Sequence, residues 1–491
     1  MTKAVNQQTE QISLAKTLSN KDVLALGFGA MIGFGWVVLT KGWLLDAGPG
    51  GASLAFLVGG IIMAFVGLVY AELTSAMPKA GGAHNFILRA RGPHGAFIGS
   101  WGFIGGYVTI IAFEAVAVPN TIEYIWPNIN HVPFWTIAGF EVHLTWALIG
   151  VVTAIVLTWI NIRGTKVAGM VQTFVVLFLL LVGIMLITGA FTGGEARNLE
   201  PLFTPGVTGF FAVMIAVPFL FVGFDVIPQS AEEANVPPRQ VGRLVVISVI
   251  MATLWYIMVI FASVLGLSGE QLVNSHLATA DAVFNMFNSQ AAANILIAGG
   301  LAGILTTWNS LLIGASRMIY ALSRTGMLPK RLAKLHPVYK TPVNALLMLG
   351  AISAVAPFFG SAMLDWLVES GSPMIVITYM LVSVSFVILR RREPQMPRPL
   401  RVGGKGRGGE LIGWFAIILT IALLIQYLPG MPAQLSWQPW VIFLAWWVAG
   451  AFFYYRLPRG IRAGEDVEER LIRAVQERER QRITSARVEK H

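Results

Sequence analysis

Two apolar stretches of the chain are interrupted by residues that break helices. Residues 27–36 read Gly-Phe-Gly-Ala-Met-Ile-Gly-Phe-Gly-Trp, and residues 218–228 contain Pro218, Gly223 and Pro228. Glycine accepts non-helical dihedral angles and proline removes a backbone donor, so both stretches predict interrupted helices. A helix break within the bilayer core leaves backbone N–H and C=O groups without partners. Such groups are costly unless they line a cavity or bind a ligand. Free N–H groups at a half-helix N-terminus suit an anionic group, whereas free carbonyls suit an ammonium or a small cation.

Two carboxylates also lie within apolar stretches. Asp225 follows Gly223 by two positions, and Glu114 lies thirteen residues beyond Trp101. Acidic residues are expensive in a membrane helix and usually face a cavity or a partner. The sequence therefore marks both as candidate functional residues, with helix capping (Asp225) and interhelical hydrogen bonding (Glu114) as the structural alternatives.

The remaining reactive side chains argue against an enzyme. The chain has no cysteine, and its seven histidines show no metal-ligand spacing. Gly-x-Ser-x-Gly, His-Glu-x-x-His and P-loop patterns are absent from the sequence. We therefore predict no catalytic residue, no metal site, no cofactor and no built-in ATP-driven pump.

The elements that carry these residues are apolar segments long enough to cross a bilayer. Hydrophobic residues make up 55% of the chain and charged residues 12%, about half the charged share of soluble proteins. The runs are continuous rather than alternating, which predicts helices and not strands. Twelve are expected, at residues 23–45, 52–76, 95–118, 144–160, 167–189, 208–230, 244–267, 292–320, 343–359, 373–389, 411–427 and 440–455. The breaks fall in the first and sixth, corresponding positions of two five-helix halves, which points to a transporter site at the midplane.

Basic residues gather on one side of this arrangement. All of the 35 Lys and Arg residues except Lys41 and Arg197 fall on the side of the two termini when the loops alternate. Because positive loops stay cytoplasmic, we expect a multi-pass protein of the plasma (inner) membrane with both termini inside. The net charge of +10 thus indicates the lipid bilayer as partner and not nucleic acid.

Five motifs, in family order, resemble the amino acid–polyamine–organocation transporter superfamily over most of the chain. They are Gly33-Phe34-Gly35; Tyr70-Ala71-Glu72-Leu73 with the Pro-Lys-Ala-Gly-Gly of residues 78–82; Gly223-Phe224-Asp225 with the Ala-Glu-Glu of residues 231–233; the Ser-Arg-Met-Ile-Tyr run from residue 316 with the Gly-Met-Leu-Pro of residues 326–329; and the Arg-Arg-Arg-Glu-Pro of residues 390–394. The resemblance implies an all-α core of ten helices in a 5+5 inverted repeat, with helices 1 and 6 broken, plus two peripheral helices.

This resemblance implies a division of the chain. Residues 1–22 form a cytoplasmic N-terminal segment, and residues 23–389 form the transport core. Residues 390–410 form a basic loop, 411–455 the two peripheral helices, and 456–491 a cytoplasmic tail that could fold as a surface helix.

The resemblance also implies substrate-binding residues. The first break would bind a substrate carboxylate, and the backbone of both breaks would bind its amino group. Phe219 matches a position where the family can place an aromatic gate, although a packed aromatic is the alternative. The bulky residues Phe34 and Trp36 favour a narrow pocket. The expected set is Ile32, Gly33, Phe34, Gly35, Phe219, Phe221, Val222 and Gly223.

The resemblance implies more than one candidate for the residues that couple transport to an ion gradient. Family members often use an acid at the position of Asp225 in proton-linked gating, and Glu114 could favour a cationic amine. Thr306 and Thr307 match a helix that contributes hydroxyls to a sodium site in related folds. A lysine that replaces sodium in some members is absent here, where Leu179 occupies its position.

These observations predict a secondary transporter of a small amino acid, working by alternating access and coupled to H⁺, to Na⁺ or to exchange. The alternative is a transporter of an organic amine, polyamine- or ethanolamine-like, with an acidic residue binding the ammonium. A channel would show a repeated pore segment or a charged ring, and neither is present. The oligomeric state is not indicated.

Overall fold

The computed structural model describes residues 16–33, 35–404, 406–458 and 460–488, and these are almost entirely helical. One short antiparallel hairpin is present, formed by β1 (Pro133–Ile137) and β2 (Phe140–His143). The helices are α1 (Asn20–Met31), α2 (Gly35–Val38), α3 (Thr40–Ala76), α4 (Ala83–Ile125), α5 (Leu144–Ile162), α6 (Thr165–Gly193), α7 (Thr208–Leu220), α8 (Val226–Gln229), α9 (Pro238–Leu265), α10 (Gly269–Asn274), α11 (Ala278–Phe287), α12 (Gln290–Arg324), α13 (Val343–Val355), α14 (Met363–Arg392), α15 (Gly408–Gln426), α16 (Trp437–Tyr454) and α17 (Val467–Val488).

Each of the twelve predicted apolar segments falls on helix, which confirms a polytopic all-α membrane protein. Within the described residues, nine helices are long and apolar enough to cross a membrane, counting α1 and α2 as one. Helix α7 and the apolar helix at residues 343–359 are shorter. Helix α16 spans 18 residues, but its tryptophans, Gln438 and Pro439 lower its mean hydropathy.

Two predicted helix starts lie directly after glycine kinks. Helix α3 begins at Thr40 and is interrupted at Gly48, which has a φ of +70°, so the helix predicted from residue 52 starts just after this kink. Helix α4 begins at Ala83 and is interrupted at Gly92, which has a φ of +76°, so the helix predicted from residue 95 also starts just after a kink and the helical stretch before Gly92 is additional. Both glycines adopt left-handed backbone angles that turn the chain while the surrounding residues remain helical.

The two predicted breaks are present and face each other. Helix α1 ends at Met31 and α2 begins at Gly35, while α7 ends at Leu220 and α8 begins at Val226. A Cβ on Gly223 would lie 2.7 Å from both the Ala30 Cβ and the Gly27 carbonyl oxygen. Only a residue without a side chain lets the sixth helix cross the first this closely.

One end of the helix bundle, which we call the basic face, carries the basic loops and both ends of the described chain. Arg317 of α12 forms a two-point ion pair with Glu233, at 2.7 and 3.2 Å, and both side chains are buried. The carbonyl of Glu233 accepts bonds from the backbone N–H groups of Thr17 and Leu18. The sequence ahead of α1 is thereby fastened to the end of the sixth helix.

A second buried carboxylate on the basic face joins α3 to the loop that follows α14. Glu72 pairs with Arg390 at 2.5 Å and with Arg398 at 3.0 Å, and it also accepts from the Val402 backbone N–H at 2.9 Å. Because Glu72 is completely buried, these partners supply the counter-charge that its burial requires.

Candidate substrate site

A small cavity lies between the two helix breaks. Its volume is about 20 Å³, which is room for about one water molecule. A substrate therefore enters only when the surrounding helices move apart. The lining residues are Ala30, Met31, Gly33, Gly35, Ile110, Phe113, Glu114, Phe219, Leu220, Val222, Tyr256 and Thr307.

The structure brings six of the residues predicted from the sequence to this cavity: Gly33, Gly35, Phe219, Val222, Glu114 and Thr307. Ile32, Phe221, Gly223, Asp225 and Thr306 are buried beside it without lining it. The ring of Phe221 stacks on Tyr256 instead, with centroids 5.8 Å apart. Phe34 lies outside the described residues.

Glu114 lies against the turn at the first break. A Cβ placed on Gly33 would overlap the Thr307 hydroxyl and lie 3.0 Å from Glu114 Oε1. Glu114 is only 2% exposed, and its Oε2 has no hydrogen-bond partner within the described part of the chain. A buried carboxyl oxygen without a partner is costly, so this atom is suited to receive a ligand donor.

The last three carbonyls of α1 each accept a hydrogen bond from a side-chain hydroxyl. Thr306 Oγ1 donates to the Gly29 oxygen at 3.0 Å, and Thr307 Oγ1 donates to the Ala30 oxygen at 2.8 Å. The hydroxyl of Tyr256 donates to the Met31 oxygen at 2.6 Å. Nothing in the sequence distinguishes Tyr256, because the residue type of a tyrosine in an apolar segment does not show which helix end its hydroxyl will cap.

Asp225 is held behind the second break by neutral donors. It accepts hydrogen bonds from the hydroxyl of Tyr107, from the hydroxyl of Tyr379 at 2.9 Å and from the Gly223 backbone N–H at 3.0 Å. The tyrosines come from α4 and α14, and the carboxyl is completely buried. Such a carboxyl can accept from both hydroxyls when ionised, or donate to one of them when protonated.

A chain of buried amides ties α1 to three other helices. Gln172 Nε2 donates to the Ala25 oxygen at 3.2 Å, and Asn309 Nδ2 donates to Gln172 Oε1 at 3.0 Å. Asn161 Nδ2 donates in turn to Asn309 Oδ1 at 2.9 Å. This chain orients the half-helix whose end borders the cavity, and sequence spacing gave no indication of it.

The aromatic residue predicted as a gate borders the cavity. The rings of Phe219 and Phe113 meet edge to face with centroids 5.8 Å apart.

A second cavity of about 380 Å³ lies toward the end of the bundle opposite the basic face, lined by Ala216, one turn before Phe219, and by Trp43. It includes three acidic residues, Asp46, Asp365 and Glu369. This second cavity lies at the end opposite the basic face, whereas buried ion pairs join the helices at the basic face. The molecule is therefore closed on the basic face.

Comparison with known sequences identifies the family. The family model described as "Amino acid permease" matches residues 18–453, a range that contains both breaks and the cavity between them. The chain belongs to this family. The resemblance to the amino acid–polyamine–organocation superfamily is thereby confirmed, as is the prediction of a membrane transporter rather than an enzyme.

Relatives of the permease cover nearly all of it. It is 28% identical to the branched-chain amino acid permease BcaP of Bacillus subtilis (strain 168), over 91% of this chain and 94% of the relative. It is 27% identical to the methylthioribose transporter of the same organism, over 93% and 96% of the two chains. Identity to the cationic amino acid transporter 4 of Mus musculus is also 27%, over 90% and 71%.

Proposed function

We propose that the permease is a secondary active transporter that moves a small amino acid by alternating access. The α-carboxylate binds to the backbone N–H groups of Gly33 and Gly35, and the α-ammonium binds to Glu114. The observation that carries this proposal is that Glu114 Oε2 has no partner among the described residues, in a cavity that Gly33 also lines and whose other side chains are mostly apolar. An ammonium supplies the counter-charge that a buried carboxylate needs.

The character of the cavity favours an amino acid with a compact, apolar side chain. Ile110, Phe113 and Leu220 supply apolar surface beside Glu114. The names of the relatives cover branched-chain and cationic amino acids and methylthioribose, so they do not fix the substrate. Methylthioribose has no amino group, so it would offer Glu114 hydroxyl donors but no cationic partner.

An organic amine is the second candidate, because Glu114 would bind its ammonium equally well. An amine without a carboxylate would leave the N–H groups of Gly33 and Gly35 without an anionic partner. The two candidates therefore differ in whether the carboxylate is required for binding.

For coupling we propose a proton on Asp225, with the basic face in the cytoplasm and the protein in the plasma membrane. Asp225 is bonded only to neutral donors within the described residues, so the carboxyl can change its protonation state without breaking an ion pair. The sodium alternative needs Thr306 and Thr307 to turn from the carbonyls that they now cap.

Substrate-induced thermal stabilisation of the purified permease tests the proposal. The twenty amino acids, biogenic amines and methylthioribose should each be measured in sodium and in potassium buffer. A ligand that binds only the folded state raises the melting temperature by mass action. Stabilisation by amino acids and not by their decarboxylated amines supports the proposal, and stabilisation by amines alone establishes the second candidate. Dependence on sodium would transfer coupling to Thr306 and Thr307.

Replacing Glu114 with glutamine should weaken binding of the stabilising amino acid by roughly ten- to a hundredfold, because its ammonium loses a buried charged partner. Isothermal titration measures the effect. The matched control is Glu123→Gln on the same helix, since Glu123 already accepts bonds from Asn130 and Trp146. Equal affinity in Glu114→Gln and Glu123→Gln would show that the ammonium binds elsewhere.

Replacing Asp225 with asparagine should abolish proton-driven accumulation while leaving amino acid exchange between equilibrated compartments. Asparagine keeps the shape of the neutral acid but cannot gain or lose the proton. Uptake into proteoliposomes, with and without an imposed pH gradient, measures this difference. Asp281→Asn is the control, because Asp281 also accepts from a tyrosine hydroxyl, that of Tyr124, at 2.6 Å. Gradient-driven accumulation in Asp225→Asn would rule out this coupling site.

A further inference from the structure

The C-terminal helix α17 lies across the basic face and is anchored by its apolar side. Val467 and Leu471 are buried. A Cβ on Gly326, just past the end of α12, would meet the side chain of Val475 at 2.5 Å. The helix is therefore packed against the transport core and is not a free solvated tail.

Glu468 of this helix links two parts of the core. One carboxylate oxygen pairs with Lys79 at 3.2 Å, and the other pairs with Arg324 at 3.2 Å. Lys79 belongs to the loop between α3 and α4, and Arg324 is the last residue of α12. One side chain thus joins this loop to the eighth membrane segment.

The loop that carries Lys79 is itself fastened to the end of the sixth helix. The Ala80 N–H donates to Glu232 Oε2 at 3.0 Å, and the Gly81 N–H donates to the Gln229 oxygen at 3.3 Å. A Cβ on Gly82 would lie 2.8 Å from the Pro228 carbonyl carbon. A displacement of α8 on the basic face therefore pulls on this loop and, through Lys79, on Glu468.

We propose that Glu468 is a positioning residue for the transport cycle, which holds α8 in the arrangement closed on the basic face. The inference rests on the proposed function in one respect, since alternating access requires the broken helices to move against the rest of the core. Opening the basic face must then break the Lys79–Glu468 pair or lift α17 from α12. Glu468 restrains this movement without touching the substrate.

The electrostatics of Glu468 set the conditions for this restraint. Burial alone raises the pKa of its carboxyl, but Lys79, Arg324 and the nearby His84 together lower that pKa below its ordinary value. The ion pairs are therefore present at neutral pH and are lost only as the pH falls through the lowered pKa. Salt, and not physiological acidification, should loosen the contact.

The absence of cysteine from the chain allows a direct test. Leu18 is buried against Ala234 on the basic face, so a Leu18→Cys variant reports opening by its rate of maleimide labelling. In this background Glu468→Gln should raise the labelling rate by roughly two- to fivefold, the range expected for part-exposed ion pairs. Glu469→Gln is the matched control, because Glu469 is the neighbouring residue and both side chains of its pair with Arg473 are 72% exposed.

A rise in Glu468→Gln alone, with a melting temperature equal to that of Glu469→Gln, supports the proposal. Lys79→Gln should also raise the rate, and adding it to Glu468→Gln should have no further effect. Equal rates in Glu468→Gln, Glu469→Gln and the parent would overturn it, as would an equal rise in both variants.

If Glu468→Gln does not fold, Lys79→Gln and a salt titration of the parent decide, and unchanged labelling in both refutes it. The assay contains no substrate, so failure of the amino acid assignment would be seen separately, in the thermal screen.

Discussion

Replacing Gly33 with valine is expected to abolish substrate binding. An added Cβ would overlap the Thr307 hydroxyl and come within 3.0 Å of Glu114 Oε1, and the two further methyl groups of valine would occupy the cavity itself. The cavity has room for about one water molecule, so it cannot absorb this volume. The variant should therefore show no ligand-induced rise in melting temperature for any compound that stabilises the parent.

The control for Gly33→Val is a glycine in a membrane helix where a side chain fits. A Cβ on Gly67 of α3 would lie 3.4 Å from the nearest side-chain atom, Val249 Cγ2, which is an ordinary contact distance. Gly67→Val should keep the full ligand response. Normal affinity in Gly33→Val would show that the substrate does not bind at the first break, and both the carboxylate and the ammonium assignments would then fail.

Replacing Arg317 with leucine is expected to destabilise the permease strongly. The change leaves Glu233 as a buried carboxylate without its two-point partner, and breaking a buried pair from one side costs about 3–5 kcal/mol. Removing both charges, in Arg317→Leu with Glu233→Leu, should recover much of this loss because no unpaired charge remains. Thermal and denaturant unfolding in detergent, run on the single and double variants, measures the difference.

An exposed ion pair of the same chemical type provides the comparison. Arg391 and Glu410 lie 2.9 Å apart, with the arginine side chain more than half exposed. Arg391→Leu should change the free energy of unfolding by about 1 kcal/mol or less. If Arg317→Leu is no more destabilising than Arg391→Leu, the buried pair does not stabilise the closed basic face.

The helices and their breaks follow from the sequence because their causes are local. A run of apolar residues must cover its own backbone groups in a bilayer, and a helix is the structure that does so within one segment. The glycines near residue 33 and the proline and glycine at 218 and 223 change backbone preference at their own positions. For these reasons the breaks were predicted where they occur. The predicted starts at residues 52 and 95 lie just after the glycine kinks at 48 and 92, and only the helical stretch ahead of Gly92 was not predicted.

The sequence did not predict which groups the individual polar side chains of the site contact. Glu114 was marked only as an acid in an apolar run, and its contact with Gly33 depends on α4 packing against the first break. Thr307 was proposed as a sodium ligand, and in the folded chain its hydroxyl caps the Ala30 carbonyl. Neither orientation follows from the residue type or from the spacing along its helix.

The sequence by itself determined that this is a polytopic membrane protein of the amino acid permease type, with two interrupted helices and its basic residues on one side. Only the tertiary structure decided which side chains meet at those interruptions. Tyr107 and Tyr379 reach Asp225 from positions 118 and 154 residues away, and Tyr256 reaches Met31 across 225 residues. Hydropathy and backbone preference act over a few residues and so are written in the local sequence. Partners across helices depend on how whole segments rotate and pack, which no short stretch of sequence records.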